Sequence, residues 1–251
     1  MICFIVILIN STNSFGINKI LGGEMNKVDI DIIKRLKKYD SATVQNAAIR
    51  VRGFIDEKED YTNPELRCFN NGGSTVVGYA ITAEVQPVNT PDSIIDWNEY
   101  YDELANSNFP VICILKDVDN PLGRGAVFGD GMAFRHVALG AVGVIVEGSI
   151  RDLPGIKKAR CPVWAKGRVP GHGPFNLVSV AKNLEVSGLN ISQGDLLVGD
   201  RDGITKVPLK YAEKISKVCD DVRKDESKMH KYFTSKDFNL EKYEFWKKNR
   251  R

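Results

Sequence analysis

Cysteine, net charge and long apolar runs are all scarce in this chain, and each scarcity excludes a class of protein. The five cysteines, Cys3, Cys68, Cys113, Cys161 and Cys219, are odd in number, scattered, and never spaced Cys-x-x-Cys. That pattern excludes a disulfide framework and a small zinc site, and it fits a reducing, cytoplasmic compartment. A net charge of +3 is too small to argue for a nucleic-acid partner. The opening run MICFIVILIN is too short to span a bilayer. No basic residue precedes it and no clear small-residue cleavage site follows. Residues 1–24 therefore read as a leader of undecided meaning, with Met25 as a possible functional start and a secretory leader as the alternative. What remains is ordinary for a soluble globular protein: 251 residues, 43% hydrophobic and 27% charged, enough for one domain with extensions.

From Asn26 the apolar residues Val28, Ile30, Ile32, Ile33 and Leu36 recur at helical spacing among charged ones, which predicts a surface helix. Ser41 is a plausible cap for a second helix whose inner side carries Val44, Ala47, Ala48 and Val51. Gly53 to Asn71 is polar and contains Pro64, so a long loop is expected. STVVGYAITAEVQP predicts a strand, its central glycine marking a bulge or a close backbone contact. A loop from Pro87 to Asp92, a helix from Trp97 to Leu104 and a buried strand from Val111 to Leu115 follow. Beyond Asp152 the pattern predicts a helical turn at Leu153–Ala159, a buried strand at Pro162–Ala165 and an irregular loop, GRVPGHGPFN. Strands follow at Leu184–Val186 and in DLLVGDRDGITKVP, where Arg201-Asp202-Gly203 makes a hairpin turn. Residues 210–251 read as a C-terminal helical extension with a solvated basic tail.

The chain is organised around Gly123 to Asp152, GRGAVFGDGMAFRHVALGAVGVIVEGSIRD. With the strand before it, this stretch reads as a βαβ unit with a right-handed crossover. The loop leaving the first strand and the end of the second then lie on one side of the sheet, where open α/β folds bind ligands. Asp130 and the Arg151-Asp152 pair are expected to face each other there.

A glycine loop opening a helix presents free N–H groups and about half a positive charge, so it favours anions. GRGAVFGDGM lacks the Gly-Lys-Ser/Thr of a phosphate loop and the dinucleotide pattern, and Asp130 would repel a phosphate. A small carboxylate beside a cation fits better. Asp152 at a strand end offers oxygen to Mg²⁺ or Mn²⁺, hard cations that keep several waters. The fork of Arg151 suits a carboxylate or an enolate oxygen. Alone, an Arg-Asp dipeptide is a surface ion pair and Asp130 a helix cap; their combination with the loop marks a site. His136 sits in the crossover helix at an outward position, and His230 lies in the charged tail. His172, in Pro-Gly-His-Gly, either lines the pocket and helps choose the substrate or is a plain loop residue. Gly143 and Gly148 read as close-packing positions and Trp164 as core.

The Asp-x20-Arg-Asp arrangement of Asp130 and Arg151-Asp152, framed by GDGM and GVIVEGSIRD, resembles a known signature. It is that of the family of regulator of ribonuclease activity A and the metal-dependent 4-hydroxy-4-methyl-2-oxoglutarate / 4-carboxy-4-hydroxy-2-oxoadipate aldolases. The likeness extends through PVWAKG and GDLLVGDRDGITKVP and back to ATVQNA, covering roughly Val28 to Leu209 and so a domain of residues 25–209. It implies a layered α/β/β domain of the swivelling type, assembled as a trimer or a dimer of trimers with sites between subunits. It also implies roles. Asp152 would ligate Mg²⁺ or Mn²⁺, Asp130 would hold metal-bound waters, and Arg151 would contact the keto or enolate oxygen. Amides around Gly129, Gly131 and Met132 would take the pyruvyl carboxylate, and Asp225 or Glu226 would be the acid lent to a neighbouring subunit. The implied reaction is class II aldol cleavage of a 4-hydroxy-2-keto acid to pyruvate, a metal-held water taking the hydroxyl proton, with oxaloacetate decarboxylation through the same enolate. The alternative is the role of the family's namesake, a non-enzymatic regulator that works by protein–protein binding.

Overall fold

Two largely apolar runs, those ending at Asp117 and before Arg151, become parallel neighbours at the centre of a curled sheet, with Cys113 beside Val144 and Leu115 beside Val146. The computed structural model describes residues 28–70 and 73–248, and the expected leader, residues 1–24, lies outside the described residues. In chain order the helices are α1 (Ile30–Leu36), α2 (Ser41–Arg52), α3 (Glu57–Asp60), α4 (Trp97–Ala105), α5 (Asp130–Ala138), α6 (Leu153–Lys158), α7 (Ala212–Phe233) and α8 (Leu240–Lys248). The strands are β1 (Arg67–Asn70), β2 (Val76–Gln86), β3 (Val111–Asp117), β4 (Ala126–Phe128), β5 (Ala141–Ile150), β6 (Val163–Arg168), β7 (Asn176–Val180), β8 (Leu184–Val186), β9 (Leu189–Ile191), β10 (Leu196–Gly199) and β11 (Ile204–Val207).

The main sheet runs β1-β6-β5-β3-β2-β10-β11, with β4 added on β5 and β7 on β2. Neighbours β2, β3, β5 and β6 are parallel, whereas β1, β10 and β11 are antiparallel additions at the two sides. Alternation along the strands separates the cores. Cys113 and Leu115 of β3 face α4, α5 and α6, while Ile112 and Ile114 face the β8–β9 hairpin with Trp164, Val186 and Leu189. Helices α1, α2 and α7 cover Val77, Tyr79, Leu196 and Val198 on the same face as α4 to α6. The result is helices, sheet and a smaller β layer, the expected α/β/β arrangement. The first half of the C-terminal helix α7 belongs to this core through Ala212, Ile215, Cys219 and Val222.

Most local expectations hold for physical reasons visible in the packing. At Gly78 a Cβ would stand 2.9 Å from the Pro110 carbonyl oxygen, the close backbone contact its strand position predicted. Gly148 lets the Asp117 side chain approach, and Gly143 lies against Trp164, which is fully buried. Two expectations are corrected. Asp40, not Ser41, caps α2 by accepting from the Thr43 amide, and Ser41 instead donates its N–H and hydroxyl to buried Asp200. Gly53 to Asn71 is not simply a loop: Asp56 caps the short α3, and β1 forms an edge against β6. A four-residue edge strand, exposed or half-buried throughout, has too little apolar alternation to announce itself.

Candidate functional site

Three chain segments meet at one end of β5. The amide of Arg151 donates to the Phe128 carbonyl at 2.9 Å, fastening the ends of β4 and β5 together. Gly129 then stands in extended conformation as the N-cap of α5, so the first-turn amides of Asp130, Gly131 and Met132 have no carbonyl one turn back. Asp152 turns the chain out of β5 with φ 58° and ψ 38°, a left-handed conformation that aspartate tolerates better than most residues. It occupies the N-cap position of α6, yet its side chain makes no capping bond there. Its Oδ2 lies 3.1 Å from Arg151 Nε instead, and the two side chains are 42% and 34% exposed.

Two glycines permit this convergence. A Cβ at Gly129 would stand 3.0 Å from Asp152 Oδ2 and 3.4 Å from Arg151 Cγ. A Cβ at Gly155, one turn into α6, would meet both Cβ and Oδ2 of Asp130 at 2.4 Å. Gly129, Asp130, Gly131, Met132, Arg151 and Asp152 all line a cavity of about 280 Å³, completed by Ala126, Val127, Phe128, His172 and Phe175. The structure thus brings together every residue that the sequence singled out as the centre. Gly155 and Phe175 were missed. The glycine three residues after Asp152 was a usable signal, whereas Phe175 belongs to a loop with no periodicity.

His136 departs from expectation. It does not point outward: it is fully buried, its Nδ1 donating to the Met132 carbonyl at 2.8 Å and its Nε2 accepting from the Tyr100 hydroxyl at 2.8 Å. Burial pushes its pKa down to about 4, so it is neutral and braces α5 against α4. His172 lies on the loop between β6 and β7 and reaches the cavity. His230 is exposed on α7. Asp225 and Glu226 are not among the cavity residues; Asp225 pairs with Arg50 at 3.0 Å and Glu226 accepts from Asn46 Nδ2.

Among the described residues no group of three or more His, Cys, Asp or Glu side chains is placed to hold a metal. The carboxylates at the cavity are those of Asp130 and Asp152, and His172, which also lines it, does not complete a three-residue metal cluster with them. Such a set is too sparse for zinc but sufficient for an ion that keeps most of its waters.

These features define a mixed α/β protein with a curled sheet and a small acidic and basic cavity at the strand ends. The RraA-like family (Aldolase/RraA) matches residues 42–205, well over half of the sequence, and the chain belongs to that family. A Halalkalibacterium halodurans protein provisionally named 4-hydroxy-4-methyl-2-oxoglutarate aldolase is 25% identical over 146 residues, 54% of this chain and 69% of that protein. An uncharacterized protein of Methanocaldococcus jannaschii is 29% identical over 105 residues, 41% of this chain and only half of that relative's length. Among solved structures, Streptomyces coelicolor RraAS2, described as an unusual member of the RNase ES inhibitor RraA protein family, superposes with a TM-score of 0.66. It is 22% identical, with 81% of this chain and 98% of that one covered, a likeness of fold. No described helix is long and apolar enough to cross a membrane.

Proposed function

We propose that this chain is a divalent-metal-dependent lyase that cleaves a 4-hydroxy-2-keto acid, of the 4-hydroxy-4-methyl-2-oxoglutarate type, to pyruvate and decarboxylates oxaloacetate. The observation that carries the reading is the convergence of Asp130, Arg151 and Asp152 with the first turn of α5 on one cavity. Amides of Gly131 and Met132, with extended Gly129 before them, bind the carboxylate of the keto acid. The helix end adds about 0.3–1 kcal/mol to that contact. Arg151 donates to the keto oxygen, and the bond strengthens as charge gathers there. A hydrogen bond of this charged kind contributes roughly 1.5–3 kcal/mol. Asp152, with Asp130 acting through water, would hold Mg²⁺ or Mn²⁺, whose Lewis acidity supplies several kcal/mol of stabilisation at the same oxygen. Asp152 suits the role because its exposed carboxylate is held by Arg151 and is not used to cap α6.

The reading includes assembly as a homotrimer or hexamer, a cytoplasmic location and no nucleic-acid or membrane partner. Phe134 and Val137, 48% and 37% exposed on α5 beside the cavity, support burial of that helix against another subunit. The deciding experiment measures pyruvate release from 4-hydroxy-4-methyl-2-oxoglutarate and oxaloacetate with Mg²⁺ or Mn²⁺, with chelator, and with Asp152→Asn. Metal-dependent release that the variant loses is the expected result. No turnover of either substrate by folded, metal-supplemented protein would overturn the reading and favour a regulator that acts by protein binding.

A further inference from the structure

The cavity has a second polar end that the reading above does not use. His172 sits there, on a loop pinned at four backbone points. The Val169 amide donates to the Ile150 carbonyl, the Ala126 amide to the Gly171 carbonyl, and the amides of Gly173 and Phe175 both to the Pro87 carbonyl, at 2.8–3.2 Å. Gly173 fits only as glycine, since a Cβ would stand 2.7 Å from the Pro87 oxygen. Phe175 stacks on Trp97 with centroids 4.8 Å apart and planes 3° from parallel, and its carbonyl accepts from the indole N–H. An exposed imidazole is therefore carried on a fixed support.

Position and tautomer both suit proton transfer. Gly171 is bonded to the first residue of β4, while the carboxylate-binding turn follows the last residue of β4. From Ala126 to Gly129, where that turn begins, there are three residue steps, about 10 Å at roughly 3.3 Å per residue. Groups projecting inward from both ends leave room for a chain of four or five carbons between them. His172 Nδ1 donates to the Gly173 carbonyl at 2.8 Å, which leaves Nε2 as the acceptor nitrogen of the neutral ring.

We propose that His172 is the general base of the aldol cleavage, accepting the proton of the hydroxyl two carbons beyond the keto carbon. This rests on the function proposed above and replaces a metal-held water as the acceptor of that proton. As Nε2 takes the proton, the hydroxyl O–H bond breaks and its electrons form the new carbonyl. The C3–C4 bond then breaks, and its pair moves to C3 and onward to the C2 oxygen, giving pyruvate enolate. Water protonates C3, and the exposed imidazolium releases its proton to solvent. Oxaloacetate has no such hydroxyl; its decarboxylation reaches the same enolate without a base at that position.

His172→Gln and His172→Ala separate the two requirements, because a surface loop substitution leaves the core intact. Positioned bases typically contribute 10²–10⁴-fold. The expected result is a loss of about a hundredfold or more in kcat for 4-hydroxy-4-methyl-2-oxoglutarate, at least about tenfold larger than any loss in oxaloacetate decarboxylation by the same variant. Cleavage within threefold of the parent, or an equal fall in both reactions, would overturn the assignment of His172. Failure of the function itself looks different: the unsubstituted protein would then release no pyruvate from either substrate, and the role of His172 would fall with it.

Discussion

Arg52–Asp60 and Arg151–Asp152 are the same chemical pair in opposite settings. Arg52 and Asp60 side chains are 7% and 1% exposed and lie 2.5 Å apart, and Asp60 Oδ2 also accepts from Gln45 and from the Asp56 amide. Arg151 and Asp152 are about a third and two-fifths exposed, 3.1 Å apart, at the mouth of a cavity. The first pair ties the end of α2 to the last residue of α3 and has nowhere else to go. The second is solvated, so its two members are free to exchange each other for a ligand at little cost. Burial and the number of additional donors, not residue type, decide which pair is frame and which is site.

The largest effect is expected where the frame is cut. Asp60→Ala leaves the Arg52 guanidinium buried without its carboxylate and should destabilise by about 3–5 kcal/mol in denaturant titration. Asp152→Asn, in contrast, should change stability by less than about 1 kcal/mol, because exposed pairs contribute that much at most and asparagine also accepts a left-handed backbone. It should nonetheless abolish metal-dependent turnover. Equal losses of stability in the two variants would break the comparison.

The sequence made the site easier to read than the frame. Gly129, Asp130, Arg151 and Asp152 stand at changes of pattern, where an apolar strand stops or a glycine loop opens a helix, and topology then forces them together. Asp60 sits in a polar stretch that looked like loop, and nothing local signals that Arg52, at the end of α2, is buried. His136 fails for a related reason: its helix carries exposed Phe134 and Val137 on the face where apolar residues would be taken for core. Periodicity finds a buried face only when that face is the apolar one. Here Tyr100 of α4 supplied the polar partner, and only the tertiary arrangement reveals it.

His136 extends the comparison to pH. Its unfolded value lies near 6.5 and its folded value near 4, lowered first by burial and then by Arg135, with the bond to the Met132 carbonyl opposing. Tyr100 and Tyr101 also face the ring, and both remain neutral in this range, their own pKa values being raised by burial. Between pH 6.5 and 4 the unfolded chain therefore binds the extra proton, and stability falls as pH falls. The full loss approaches about 3 kcal/mol by pH 4 and then stops. Stability measured across that window should lose this slope in His136→Gln. A variant that keeps the whole slope would place the proton uptake elsewhere.

The smallest expected effect tests whether the cavity is held as firmly as the frame. Gly155→Ala places a methyl 2.4 Å from the Cβ and Oδ2 of Asp130, so one of the two must move. Alanine also improves the intrinsic helix preference at this position by about 1 kcal/mol, which offsets part of the strain in α6. Net stability should therefore change by no more than about 1 kcal/mol. Activity should fall about tenfold, since displacements near 1 Å at a reacting centre can cost up to a hundredfold. A variant with parental stability and parental turnover would mean that Asp130 shifts without consequence. The contact between α5 and α6 would then be packing alone, and Asp152 with Arg151 would remain as the functional half of the site.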